Sequence, residues 1–462
     1  MKLSAKKNLL LATLGMLITQ QSSHASLIAI LDSGSDLTHP DLAPKAWVNT
    51  LDDSKLGYSD DIHGWNFLKN SSELVDLSLV NKFSPDIYEY FNVQARLMDG
   101  TDDATLNPEG RKADIQWYKD HTKGNKDFMA QLNEFGDFAH GTNVAGIAAK
   151  GNDQAQIMGI TEIGKADPAV AKAEPKRENN PRSPGETHAQ RYLDILFGDP
   201  KTSLESTNSK IGQYLNRHGA QVANCSFGNS KAQVLKIVKI IEFFAKPIHG
   251  KKFTIANYEY VMNHMMKADR ELFDASPNTL FLVAAGNDSS DNDVYFTTPA
   301  NIKTDHSMVV AATSGHKKLA SFSNYGKTTV DVAAPGVGIL SDSPGGKQVR
   351  MSGTSQATPY VTNIAARCLD ANKTLAPKDV KAIIMGTVDK KDFLKGKVVS
   401  EGIVNMDRAV RAASLSNSMP IDQAVAQAGS EIADVVDPAM LAADEMEEFT
   451  TVAPLKSELE FR

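Results

Sequence analysis

The sequence contains very little cysteine: Cys225 and Cys368 are the only two in 462 residues. Two cysteines cannot build the disulfide framework that holds small secreted scaffolds together, so the fold must depend on a hydrophobic core. Hydrophobic residues make up 41% of the chain, enough for one large α/β domain with appendages or for two domains. The cysteines can be free thiols or one disulfide. We expect buried free thiols, because buried cysteine packs as a small apolar side chain.

A surplus of basic residues is missing as well. The chain has 49 lysines and arginines against 56 aspartates and glutamates, which gives a net charge of -7. Nucleic-acid-binding domains usually carry a basic face, so this balance argues against a nucleic-acid partner.

Long hydrophobic runs are also absent. A membrane-spanning helix needs about 20 predominantly apolar residues, whereas the apolar run at residues 9–18 has ten. Three lysines precede this run and Ser23-His24-Ala25 follows it, as at a cleavage site for an export signal. The pattern predicts a signal over residues 1–25, no membrane association after its removal, and a periplasmic or extracellular protein. A buried first helix is the alternative interpretation.

What the sequence does have is an alternation of short apolar runs with helical patterns. Continuous apolar runs bounded by turn residues are typical of strands in a parallel sheet that is covered on both faces. The predicted strands are 27–31, 220–227, 280–286 and 307–313, and the predicted helices are 141–150, 232–246, 258–273 and 354–370. This order predicts a doubly wound α/β fold with a mostly parallel sheet and helices on both faces. Ligands of such folds bind at the carboxyl ends of the strands.

Four polar residues stand at predicted strand ends or helix starts. Asp32 directly follows the first apolar run, His140 precedes a small-residue helix, and Asn287 follows the strand 280–286. Ser355 lies in MSGTSQATPY, where small residues indicate a tight turn into a helix. Each residue alone suits an ordinary structural role in a turn, a cap or the surface.

Together the four residues supply the parts of nucleophilic catalysis. A serine hydroxyl needs a base to take its proton, and the base needs a carboxylate to orient it. The oxyanion that develops needs hydrogen-bond donors already in place. Asp32, His140 and Ser355 would provide the first three groups, and Asn287 with the Ser355 backbone N–H would provide the donors.

The motifs around these residues resemble those of the subtilisin-like serine proteases, the subtilase or peptidase S8 family. LIAILDSGSDLTHPDL, HGTNVAGIAA, VAAGND and SGTSQATPYV are similar to the family's Asp, His, oxyanion-Asn and Ser motifs, in the family's chain order. Shorter matches are DDIHGWNF, NCSFG, LASFSNYG, DVAAPG and GIVNMDRAV. The resemblance predicts a peptidase domain over residues 26–413, with insertions at about 68–135 and 161–220 and an acidic tail at 414–462. From Ile421 onward the tail is expected to be partly disordered or an amphipathic accessory segment.

The resemblance implies a secreted serine endopeptidase that works through an acyl-enzyme intermediate. Asp32 would orient His140, His140 would be the general base toward Ser355, and Asn287 would bind the oxyanion. No cofactor is required for this chemistry, the partner would be a protein or peptide substrate, and we expect a monomer. The residues expected to line the substrate cleft are Cys225, Ser226, Phe227, Gly228, Ala284, Ala285, Gly286 and Thr297.

The sequence departs from the family pattern in several places. Gln356 stands where the family more often has Met, and Asn143 stands where a second His is usual. A chain that starts at Ser26 would leave no room for the family's folding propeptide. Asp41 and Asp153 would be candidate ligands of a structural Ca²⁺, with a solvated surface loop as the alternative.

Two other classes of function deserve comparison with the protease. One is a catalytically silent scaffold that binds peptides or regulates another protein. The other is an esterase or acyl transferase of the nucleophile-elbow type, in which serine lies in Gly-x-Ser-x-Gly and histidine follows it. Here Ser355 lies in GTSQA and His140 comes first, so the second class fits poorly.

Overall fold

A computed structural model describes residues 25–99, 108–164, 167, 206–229 and 255–435. The strands are β1 Leu27–Asp32, β2 Gly64–Asn66, β3 Gln156–Thr161, β4 Val222–Cys225, β5 Leu280–Ala284, β6 Ser307–Ser314, β7 Lys318–Leu319, β8 Val332–Pro335, β9 Ile339–Ser343, β10 Lys347–Met351, β11 Asp389–Lys390 and β12 Gly402–Ile403. The α-helices are α1 Pro85–Asp99, α2 Pro108–Thr122, α3 Lys126–Ala149, α4 Thr207–His218, α5 Ile255–Asp274, α6 Thr354–Ala371, α7 Pro377–Gly386, α8 Met406–Leu415 and α9 Ile421–Glu431. Short 3-10 turns lie at Ala43–Lys45, Ser54–Leu56, Leu77–Leu79 and Asp392–Leu394.

The main sheet has the strand order β2-β3-β1-β4-β5-β6-β8-β12-β11, with β7 beside β6. From β2 to β12 all neighbouring strands are parallel. Two short strands are antiparallel: β11 pairs with β12 at the edge of the sheet, and β7 pairs with the end of β6. Strands β9 and β10 form a separate antiparallel pair. This topology confirms the predicted doubly wound α/β fold.

Alternate residues of β1 pack on opposite faces of the sheet. Ile28 and Ile30 lie in a cluster with Val144, Ala145 and Ala148 of α3. Ala29 and Leu31 face the other way, into a cluster to which α4 and α5 contribute. Because both faces are covered, the strand can be apolar throughout, as the sequence indicates.

The helix that carries His140 is longer than predicted. It starts at Lys126 rather than at Gly141, and the Asn125 side chain caps it by accepting a hydrogen bond from the Phe128 N–H. The predicted helix start at Gly141 is therefore wrong. Phe128, Leu132, Phe135 and Phe138 are buried at helical spacing and continue the helix toward its N-terminus.

The stretch at 68–135, which is polar in sequence, contains a helical layer with its own apolar core. Helices α1, α2 and the first half of α3 pack around a cluster that also reaches β10; it includes Phe83, Ile87, Tyr90, Phe91, Phe128, Leu132, Phe135, Phe138, Val349 and Met351. The other predicted insertion lies largely outside the described residues, as do the predicted signal and the predicted helix at 232–246.

The chain continues as ordered structure past residue 413. Ala424 and Ala428 of α9 are fully buried, and Arg408 of α8 donates to the Ile432 carbonyl at 2.8 Å. Of the two interpretations of the segment after Ile421, the accessory helix therefore agrees with the structure up to residue 435.

Both cysteines are buried and free, as expected, and the disulfide alternative is wrong. Burial raises the pKa of both thiols above the ordinary value, which keeps them protonated. Among the helices that the structure describes, none combines the length and apolar character needed to cross a membrane.

Candidate active site

Asp32 and His140 are joined by a hydrogen bond at the carboxyl end of β1. His140 Nδ1 lies 2.7 Å from Asp32 Oδ1, and the Ser33 N–H donates to the same oxygen at 2.7 Å. The Asp32 side chain is fully buried and that of His140 is 14% exposed. An ionised carboxylate can only accept, so Nδ1 carries the proton and Nε2 keeps its lone pair for another partner.

Close packing against the loop after β1 places His140 there. A Cβ atom on Gly141 would lie 2.3 Å from the Gly34 carbonyl oxygen, so only glycine allows α3 to approach so closely. The Thr142 hydroxyl accepts from the Asp36 N–H at 2.9 Å. Gly141 and Thr142 thus dock the interior of α3 rather than start it.

Two opposed influences act on the pKa of His140. Burial lowers this pKa, but the charge of Asp32, the hydrogen bond to it and the charge of Asp137 together raise it more, and the net shift is upward from the ordinary value. A raised pKa makes the imidazole a stronger base while Asp32 is ionised.

Ser355 is the second residue of α6, one residue after Thr354 and two after Gly353. Its backbone N–H lies in the first helical turn, where no intrahelical acceptor exists. Its hydroxyl donates to the Ser226 carbonyl at 3.0 Å, and the Ser226 hydroxyl donates back to the Ser355 carbonyl at 2.9 Å. In this conformation the Ser355 hydroxyl therefore points to the loop that follows β4. A rotation about the Cα–Cβ bond of Ser355 is needed before the hydroxyl can bond to another group.

Asn287 is held by its side-chain oxygen. Oδ1 accepts from the Thr354 N–H at 2.9 Å and from the Thr354 hydroxyl at 3.0 Å. The two donors use the oxygen, so the NH₂ group is the end that remains for a ligand. Its Nδ2 atom lies 3.5 Å from the position that a Cβ atom on Gly353 would take, beside the approach to Ser355.

Asn324 supports the loop that carries Asn287, a role that sequence reasoning missed. Asn324 Oδ1 accepts from the N–H groups of Asp288 and Ser290 at 2.9 and 3.0 Å. Gly286 has φ +106°, and a Cβ there would lie 2.5 Å from Asn324 Nδ2. The motif SFSNYG was the available signal, but only the fold shows that its Asn reaches this loop.

The eight residues predicted to line the cleft lie on neighbouring segments. Strands β4 and β5 are parallel neighbours and pair Cys225 with Val283, and the Asn229 N–H donates to the Thr298 carbonyl at 2.9 Å. Ser226, Gly228, Ala284, Gly286 and Thr297 therefore meet at one sheet edge, and Phe227 is partly buried beside them. Cys225 and Ala285 are fully buried in the apolar core, so only their backbone atoms could contact a substrate.

The two predicted calcium ligands do not lie in a common ligand group. Over the described ranges, the groups of three or more candidate ligands are His39, Asp41 and Asp342, and Asp53, Asp61 and His218. Asp153 is 97% exposed, and its carboxylate faces the Lys45 ammonium at 3.9 Å. The same ammonium donates to the Ala149 carbonyl at 2.7 Å.

Nitrogen donors already occupy the oxygens of this loop. Asn363 Nδ2 donates to the Lys150 carbonyl at 2.8 Å and to the Ile147 carbonyl at 3.3 Å. Asn152 Oδ1 accepts from the Gln154 N–H at 3.1 Å. Ca²⁺ takes six to eight oxygen ligands and no N–H donors. These residues do not fit a calcium ion, and the Lys45 ammonium supplies the positive charge instead.

We expect the loop at residues 147–154 to bind no calcium, so Asp153→Ala should leave the difference between the melting temperatures in calcium and in EDTA unchanged. Lys45→Met should lower the melting temperature by several degrees, because the Ala149 carbonyl and the loop lose a charged donor. Lys55→Met, at an exposed lysine, is the control and should leave it unchanged. Stabilisation of the parent by calcium that disappears in Asp153→Ala would contradict this assignment.

A profile described as the subtilase family, Peptidase S8, matches residues 23–406. Alkaline serine exoprotease A of Vibrio alginolyticus is 32% identical over 176 residues, 38% of this chain and 31% of that protein. Subtilase-type proteinase psp3 of Schizosaccharomyces pombe is 36% identical over 174 residues, 35% of this chain and 37% of that protein. The matches thus span about a third of these relatives.

A solved structure described as a cold adapted subtilisin-like serine proteinase covers 82% of this chain and 86% of its own, at 18% identity and a TM-score of 0.40. The match to the family profile covers more of the chain than the matches to these two relatives do. It spans well over half of the chain and includes all four motifs. The chain belongs to the subtilase family.

Proposed function

We propose that this protein is a serine endopeptidase that hydrolyses peptide bonds through Asp32, His140 and Ser355. The observation that carries the proposal is the 2.7 Å hydrogen bond between His140 Nδ1 and the buried Asp32 carboxylate. It leaves Nε2 to act as a base at the end of β1, and the Ser355 hydroxyl bonds to the Ser226 carbonyl just after β4, the strand next to β1. Membership of the subtilase family supports the same reaction class.

The proposed reaction begins when the Ser355 hydroxyl turns from the Ser226 carbonyl to His140. Nε2 takes the proton as Oγ attacks the peptide carbonyl, and the carbonyl π electrons move to oxygen. Asn287 Nδ2 and the Ser355 N–H donate to that oxyanion. The imidazolium then protonates the leaving amine, and water hydrolyses the acyl-enzyme by the same steps.

We propose a protein or peptide as the substrate, bound in extended form along residues 226–228, which follow the end of β4. An exposed strand edge can add a peptide as a further strand, and the pocket between this segment and Ala284–Gly286 would take the residue before the cut. Export and a monomeric state remain proposals that rest on the pattern of residues 1–25 and on the family resemblance.

The competing proposal is a catalytically silent peptide-binding scaffold. The observation that favours it is the Ser355 hydroxyl bonded to the Ser226 carbonyl, because a hydroxyl held there does not react. A fluorophosphonate probe labels only an activated serine, so it separates the two proposals. We expect stoichiometric labelling at Ser355, and folded protein that stays unlabelled would favour the scaffold.

Asn287→Ala should lower kcat by roughly 10²–10³-fold with little change in KM. The side-chain NH₂ donates to the oxyanion of the transition state and has no such partner in the bound substrate. Steady-state kinetics on a peptide substrate measures this split. Asn417→Ala, at an exposed asparagine, is the control. A large rise in KM at unchanged kcat would show that Asn287 binds substrate instead.

A further inference from the structure

The two residues that depart from the family pattern nearest the triad contact each other. Gln356 Nε2 donates to Asn143 Oδ1 at 3.2 Å, and the two residues are 2% and 0% exposed. Gln356 directly follows Ser355, and Asn143 lies about one helical turn after His140. The bond therefore joins the two helices next to the residues proposed as nucleophile and base.

Asn143 is itself anchored on the hairpin β9–β10. Its Nδ2 donates to the Val349 carbonyl at 3.2 Å, and its own carbonyl accepts from the Ser341 hydroxyl at 2.8 Å. The amide thus cannot flip without losing a buried bond, and its oxygen has to face Gln356. A Cβ atom on Gly353 would lie 2.9 Å from Gln356 Oε1, so glycine there makes room for the Gln356 side chain.

A second connection joins the same helices farther from the site. Asn363 of α6 donates to the Ile147 and Lys150 carbonyls at the end of α3. The two helices are therefore joined at two places, about two helical turns apart on α6, and the connection nearer the proposed nucleophile and base is the Asn143–Gln356 bond. Because neither amide reaches solvent, each depends on the other for its partner.

We propose that Asn143 and Gln356 are a coupled positioning pair that sets His140 against Ser355. The inference rests on the proposed function. Neither residue touches the reacting atoms; they act by holding the helices that carry the base and the nucleophile. Each of the two buried side chains supplies a hydrogen-bond partner of the other, so a change at one position leaves a buried amide group at the other without that partner.

A double-mutant cycle with the family residues tests this pairing. We expect Asn143→His and Gln356→Met to lower kcat by about 10-fold or more each, with KM within about twofold, because small misplacements of reacting groups are costly. The double variant, which restores the family pair, should recover most of the lost kcat, so that the effects are far from additive. Thermal unfolding of each variant is measured in parallel.

Asn363→Ala is the matched control, because it cuts the distant connection between the same helices. It should lower the melting temperature and leave kcat within about twofold of the parent. Additive losses in the double variant, single variants with parental kcat, or an equal loss of kcat in Asn363→Ala would each overturn the pairing. If Asn143→His does not fold, Asn143→Ala replaces it in the cycle, and a parental kcat in Asn143→Ala or additive losses with Gln356→Met would overturn the pairing.

The activity of the parent protein distinguishes a failure of this inference from a failure of the proposed function. A parent that neither hydrolyses peptides nor reacts with a fluorophosphonate fails the proposed function, and the positioning inference falls with it. An active parent whose variants show additive effects overturns the positioning inference alone.

Discussion

Ser355→Ala is expected to lower kcat for peptide hydrolysis by roughly 10⁶-fold and to abolish fluorophosphonate labelling. No other group can take the place of Oγ, because the acyl-enzyme forms on that atom. The fold should survive, since the lost hydroxyl makes one hydrogen bond, to the Ser226 carbonyl. Melting temperature and far-UV circular dichroism check the fold, and hydrolysis of a chromogenic peptide checks the rate.

Ser430→Ala is the matched control, because Ser430 is exposed on α9 and bonds only the Gln427 carbonyl in the same helix. It should keep parental hydrolysis and labelling. Turnover by Ser355→Ala near the parental level, in a preparation free of contaminating protease, would refute the assignment of the nucleophile.

The sequence predicts the central sheet and the strand-end positions of Asp32 and Asn287, for a physical reason. Asp32 and Asn287 directly follow apolar runs that are buried on both faces, and the carboxyl ends of adjacent parallel strands meet at one edge. Some residues in the motifs are also fixed by close packing of the backbone. Gly141 is an example, because a Cβ atom there would clash with the Gly34 carbonyl oxygen.

What the sequence does not predict is set by contacts between distant segments. The start of α3 is missed because its small-residue half looks like a complete helix, while Phe128 and Leu132 are buried only by helices α1 and α2. The calcium interpretation follows from the letters Asp41 and Asp153. The letters do not show that Lys45 lies beside this loop, because it is 104 residues away in sequence from the Ala149 carbonyl to which it donates.

Asp32→Asn is expected to lower kcat by roughly 10⁴-fold while leaving the geometry nearly unchanged. An asparagine amide that donates to His140 Nδ1 would move the imidazole proton to Nε2, where the base has to accept. Asparagine also removes the charge that stabilises the imidazolium. The loss should fall on kcat, since Asp32 is fully buried and cannot contact the substrate.

The same substitution should change the pH dependence in a defined direction. Hydrolysis needs neutral His140, so activity in the parent falls as pH drops through the raised pKa of this imidazole. Without the Asp32 charge, burial remains and lowers that pKa, and the acidic limb of kcat/KM should move to lower pH. Asp153→Asn, at a fully solvated carboxylate, should leave the limb in place. An acidic limb that stays at the parental pH in Asp32→Asn would mean that the group titrating there is not His140, and the assignment of the general base would fail even if the rate falls as expected.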